Sequence, residues 1–144
     1  MKWLSSIGFV AIYCLAGAVH GADPVQRIDD PVLLARGQAL FQQHCAACHG
    51  DKAQGTVDNW QQRDASGKLP PPPLNGTAHA WHHSINGLAR TIREGTISLG
   101  GSMPPWGDTH SDEEVFAVIV WFSSLWPDDL YDTWMQMNRA EAER

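Results

Sequence analysis

Two cysteines three positions apart, with a histidine directly after the second, stand at Cys45-Ala46-Ala47-Cys48-His49, and Gly50 closes the run. C-x-x-C-H is the pattern that attaches a c-type haem: the two thiols add to the two vinyl groups, and the adjacent imidazole is placed under the ring to bind iron. Two other chemistries use a close Cys pair. A thioredoxin-like dithiol belongs beside a βαβ pattern, which is missing here, and a structural zinc site wants a second Cys pair. The third cysteine, Cys14, lies in an apolar leader-like stretch. Chance placement of 3 Cys and 7 His in 144 residues rarely produces the motif.

Iron in a haem takes a ligand on its other face, and the identity of that ligand separates electron transfer from chemistry on a bound molecule. The residues able to serve are Met103, Met135, Met137, His44, His79, His82, His83 and His110. Met103 lies in Gly100-Gly101-Ser102-Met103-Pro104-Pro105-Trp106, a stretch that cannot be helical and is stiffened directly after the methionine. Met135 and Met137 sit at helical spacing, where methionine usually fills gaps in a core. Met103 is therefore the expected ligand, and a histidine is the alternative.

Working outward, Asp30-Pro31 is a helix start, an N-cap followed by proline at the first helical position. Val32, Leu33, Leu34, Leu40 and Phe41 supply an apolar side, which predicts a helix over 31–44. Ser111-Asp112-Glu113-Glu114 reads as a capping box before the eight apolar residues Val115 to Phe122. That run is β-branched enough to suit a buried strand, but the box and the length decide for helix. Ile85, Leu88, Ala89 and Ile92, closed by Gly95, predict a third helix leading into the Met103 loop. Trp126-Pro127 ends the capped helix, and Leu130, Trp134 and Met137 predict a terminal amphipathic helix, read as a lid on the core. The segment 50–73 has no period and reads as loop with a polyproline II portion.

Three landmarks taken together, Cys45-x-x-Cys48-His49-Gly50, Pro72-Pro73-Leu74-Asn75-Gly76 and Met103-Pro104-Pro105-Trp106, resemble those of a class I cytochrome c. The resemblance implies an all-α fold of about three core helices around one covalently bound haem c, here with a C-terminal helical extension. It implies that Gly37 and Phe41, eight and four residues before Cys45, pack against an aromatic of the last core helix. Val118 and Trp121 are the residues expected there. It also implies that the Pro72 carbonyl accepts the proximal imidazole N–H, that iron lies between His49 and Met103, and that Leu74 and Trp106 help to bury the ring. The insert 51–69 and the tail beyond 125 depart from the family pattern.

Such an iron has no vacant position, so the expected activity is one-electron transfer and not catalysis. The alternatives are a haem subunit of a dehydrogenase or oxidase, or a gas- or peroxide-binding protein with a labile distal ligand. Residues 1–21, with Lys2, an apolar stretch and small residues near Gly21, read as a cleavable secretory leader. The single domain is then 22–144, with its core over about 30–125, in the periplasm; an uncleaved N-terminal anchor is the alternative. A formal charge of −6 without a Lys/Arg run excludes a nucleic-acid partner by charge. It suits a monomer whose redox partner, in a respiratory or dehydrogenase chain, carries a basic docking patch. Three side groups remain. His79, His82 and His83 would, on a helix, gather on one side as a copper or zinc site; the plainer reading, which the nearby Gly76 favours, is that they and Trp81 line the haem edge or propionates or are solvated. Arg90 and Arg93 could pair with haem propionates, and Trp60 or Trp81 could donate an indole N–H to them, but exposed surface arginines are the commoner case.

Overall fold

The computed structural model describes residues 26–144. The leader, its cleavage point and Cys14 fall outside the described residues. Among those described, the regular elements are all helices: α1 Pro31–His44, α2 Ala46–His49, α3 Ile85–Glu94, α4 Asp112–Ser124 and α5 Asp128–Ala142, with 3-10 turns at Ala80–His82 and Ile97–Leu99 and irregular chain between. No helix among them is long and apolar enough to cross a membrane.

The capping signals act as the sequence suggests. Asp30 Oδ1 accepts from the backbone N–H groups of Val32 and Leu33 at 2.8 and 3.1 Å, ahead of Pro31, whose missing N–H costs nothing at that position. At α4 the Ser111 hydroxyl accepts from the Glu114 N–H while the Glu114 carboxylate accepts from the Ser111 N–H, so two donors that a helix start leaves open are satisfied reciprocally. That hydrogen bond, with Arg36 at 3.2 Å, holds the Glu114 carboxyl below the usual carboxylate range.

α1 crosses α4 at Gly37. A Cβ there would stand 2.0 Å from the Ala117 carbonyl oxygen and 2.8 Å from the Trp121 Cβ, so only hydrogen fits between the two backbones. One turn on, the rings of Phe41 and Trp121 meet with centroids 4.5 Å apart. Trp121 therefore meets both α1 residues, but the neighbour of Gly37 is the backbone of Ala117; Val118 instead faces the cleft described below. The reason is the 100° step of a helix: a crossing this close brings a backbone, not a branched side chain, over the glycine. From Val115 to Ser123 α4 is buried apart from Phe116, which is half-buried.

α5 packs as a lid. Trp134 and Tyr131 are buried, and Leu130, Met135 and Met137 pack against the core. The Trp126 indole N–H donates to the Leu74 carbonyl and that of Trp134 to the His83 carbonyl, each at 2.7 Å. Arg27 fastens the segment before α1 to this region: its Nη2 donates to the Trp126 carbonyl at 2.6 Å and its guanidinium lies 4.3 Å from the centre of the Tyr131 ring in α5.

Candidate functional site

The helices surround an apolar cleft of about 400 Å³, within the size range of small-molecule and cofactor sites. Phe41, Leu88, Ile92, Val118 and Phe122 close its back. Every residue read from the sequence as a site residue, Cys45, Cys48, His49, Pro72, Leu74, Met103 and Trp106, lines it.

The first wall is a single helical turn. Cys45 ends α1, its N–H donating to the Phe41 carbonyl at 2.8 Å, and its own carbonyl accepts from Cys48 and His49 to start α2. Residues three and four apart in a helix share a face, so Cys45, Cys48 and His49 present two thiols and an imidazole to one side. Gly50, at φ 80°, stops the turn. Among the described residues the cysteines form no disulfide. Burial and the neighbouring Cys48 raise the Cys45 thiol to about 11, the opposite of the depressed value that makes a redox dithiol reactive.

His49 is buried, and burial pushes its pKa below the usual range while a hydrogen bond to Pro72 opposes the shift. Its Nδ1–H donates to the Pro72 carbonyl at 2.9 Å, which leaves the Nε2 lone pair for a metal and fixes the plane of the ring. Within the Pro70–Pro73 run, Pro72 is the residue in register. Its position is set by Ala53, whose carbonyl accepts from the N–H groups of Leu74 and Asn75 at 2.7 and 3.2 Å. Ala53 is fully buried and adopts φ 55°, a conformation alanine rarely takes. Nothing in the sequence marks Ala53 for this role, because the strain arises from the fold around it.

The second wall is the loop after α3. Gly95 ends that helix at φ 66°, and a Cβ on it would meet the Met103 carbonyl oxygen at 2.6 Å. Thr96 then contacts the loop twice: its N–H donates to the Met103 carbonyl at 2.9 Å, and its hydroxyl accepts from the Met103 N–H at 3.1 Å. Further along, the Trp106 N–H bonds to the end of α3 through the Ile92 and Arg93 carbonyls. Trp106 lies parallel to His110 at 5.3 Å, with His44 edge-on to both.

The side groups separate. Trp60 enters the cleft and stacks on His79 at 5.1 Å, and His79 meets His83 at 5.6 Å; His82 turns away onto Trp81. The three imidazoles do not converge, and no group of three or more potential metal-ligating side chains forms among the described residues. The segment is a single 3-10 turn, so the helical spacing that would gather them is not realised. Arg93 pairs with Asp112 and Arg90 is exposed, and neither lines the cleft. Leu69, Pro70 and Pro71, from the insert, do line it.

These donors fit a haem. Cys45, Cys48 and His49 supply two thiols and an imidazole, Met103 lines the same cleft, and the rest of the lining is mostly apolar.

The sequence model of the family described as "Cytochrome C oxidase, cbb3-type, subunit III" matches residues 32–122. The chain is 29% identical over 94 residues to the cbb3-type cytochrome c oxidase subunit CcoP of Azospirillum sp. (strain B510), covering 64% of this chain and 28% of that protein. It is 30% identical over 95 residues to the thiosulfate dehydrogenase of Stutzerimonas stutzeri (strain A1501), covering 63% of this chain and 27% of that one. The matched part thus spans little more than a quarter of these relatives. Cytochrome CL from Methylophaga aminisulfidivorans has a similar fold, with a TM-score of 0.53 at 22% identity, over 78% of this chain and 67% of that one.

Proposed function

The chain belongs to the cbb3-type cytochrome c oxidase subunit III family of c-type cytochrome domains, and on that premise we propose that it is an exported, single-haem, one-electron carrier whose iron lies between His49 and Met103. One observation carries this reading: His49, its imidazole oriented by the Pro72 carbonyl, and Met103 line the same apolar cleft as Cys45 and Cys48. The haem supplies the one-electron couple. Cys45 and Cys48 would hold it by thioether bonds, and the Pro72 carbonyl makes the imidazole a better donor by polarising its N–H. Met103 would contribute a soft ligand that favours the reduced iron, and Leu74, Trp106, Val118 and Phe122, which line the cleft, would exclude water and favour the less charged state further. With His49 and Met103 both serving as ligands, the iron would keep no position for a substrate, which is what a carrier requires.

The names of the relatives, an oxidase subunit and a dehydrogenase, support a redox partner from a respiratory oxidase or dehydrogenase system, with this chain acting as its carrier or as its haem subunit. The formal charge of −6 supports a partner with a basic docking patch, in which case turnover falls as salt rises. The test of the carrier reading is a potentiometric titration of the purified periplasmic holoprotein, followed by exposure of the ferrous form to carbon monoxide. A one-electron Nernst slope and slow carbon monoxide binding are expected; rapid binding at a vacant iron contradicts it.

A further inference from the structure

Met103 has no helix to hold it. The loop that carries it runs from Gly95 to Trp106, contains glycine at 100 and 101, and leaves Ile97 and Leu99 exposed. A side chain on such a loop is placed only as well as the loop's hydrogen bonds place it, and those bonds converge on one residue. Thr96 receives the Met103 N–H on its hydroxyl at 3.1 Å and donates its own N–H to the Met103 carbonyl at 2.9 Å, so both backbone polar groups of Met103 end on Thr96. The Thr96 carbonyl in turn accepts from the Gly101 N–H at 2.8 Å and from the Leu99 N–H at 3.0 Å. A Cβ at Gly101 would lie 2.2 Å from the Thr96 hydroxyl, so the loop is closed tightly over that oxygen.

We propose that Thr96 is a positioning residue for the distal ligand: its hydroxyl, by accepting the Met103 N–H, holds the loop in the conformation that keeps the thioether in the cleft. The role rests on Met103 being the ligand. Of the contacts between the two residues, only the one through the hydroxyl depends on the side chain. Valine matches threonine in shape but cannot accept a hydrogen bond, so Thr96→Val leaves the Met103 N–H without its partner while the remaining backbone bonds persist. Losing such a bond is expected to raise the population of loop conformations in which Met103 has left the iron by about tenfold, equivalent to about 1.4 kcal/mol.

The experiment uses ferric and ferrous holoprotein of the parent and of Thr96→Val, Thr96→Ser, Gly101→Ala and Met103→Ala. The readouts are the far-red sulfur-to-iron charge-transfer band as pH is raised and the rate of carbon monoxide binding to the ferrous form. Thr96→Val is expected to lose the band at lower pH than the parent and to bind carbon monoxide about tenfold faster, and Thr96→Ser, which restores the acceptor, to behave as the parent. Gly101→Ala presses on the same oxygen and is expected to follow Thr96→Val. It therefore also carries the test if Thr96→Val does not mature. Parent-like rates in both Thr96→Val and Gly101→Ala, or a Thr96→Ser variant as loose as Thr96→Val, overturn the proposal. Met103→Ala separates the two levels: if it leaves band and rate unchanged, the ligand assignment fails; if it changes both while the Thr96 and Gly101 variants change neither, only the role of Thr96 fails.

Discussion

His49 reaches the cleft from one helical turn that continues directly from α1 and is anchored by the Pro72 carbonyl, whereas Met103 reaches it from a loop fastened to the end of α3 by a handful of hydrogen bonds. The first wall inherits the stability of the α1–α4 crossing, because Cys45 is the residue that closes α1. The second is secured locally, by Gly95, Thr96 and Trp106. The difference teaches where each kind of damage should appear: lesions beside His49 should read out as loss of the fold, and lesions in the Met103 loop, under the proposed ligation, as loss of a ligand from an otherwise intact protein.

The largest effect that would break this contrast is at Gly37. Gly37→Val forces a branched side chain to within 2.0 Å of the Ala117 carbonyl, so α1 and α4 must separate. A loss of about 3 kcal/mol in denaturant unfolding of the holoprotein is expected. If it unfolds like the parent, the crossing does not support the proximal wall. Next is Gly95→Ala, which meets the Met103 carbonyl at 2.6 Å in a left-handed conformation. A local cost of about 2 kcal/mol is expected to weaken the far-red band much more than it lowers the global unfolding midpoint. Equal losses in both would erase the distinction between the walls.

Trp126→Phe sharpens the picture from the lid. It removes the 2.7 Å bond to the Leu74 carbonyl and leaves that acceptor next to the buried ring position, for an expected cost of about 1.5 kcal/mol by thermal unfolding. The smallest effect is at His79. Burial, then the imidazoles of His83 and His82, push its pKa below its ordinary 6.5. The unfolded chain thus takes up that proton more readily than the folded one. The stability His79 contributes is complete above pH 6.5 and is lost as pH falls through its lowered folded value. Unfolding of His79→Gln across that interval should be less sensitive to acid than that of the parent; an identical pH dependence would show that this cluster is not coupled to the fold.

Much of this was legible in the residues because the signals are local. Asp30-Pro31 and Ser111 to Glu114 name helix starts by chemistry that acts within one turn, and C-x-x-C-H fixes its own geometry because three and four residues make a helical face. Gly37 was legible as a close approach but not its exact neighbour, since the choice between Ala117 and Val118 depends on the rotation of α4 about its axis. Tyr131, buried under Arg27, was missed because its partner lies a hundred residues away in sequence. Ala53 and Thr96 were illegible for the same reason: each acts through backbone groups of a distant loop, and such bonds leave no periodicity. The histidine trio shows the converse, a spacing that suits a helix in a segment that makes only one 3-10 turn.

Near-infrared magnetic circular dichroism of the ferric holoprotein, recorded beside Met103→Ala, bears most directly on the pairing of His49 with Met103. The parent should show the signature of histidine–methionine ligation, and the variant should lose it while keeping the haem covalently attached. A parent spectrum of two nitrogen ligands or of a vacant site, or a variant spectrum unchanged from the parent, contradicts that pairing.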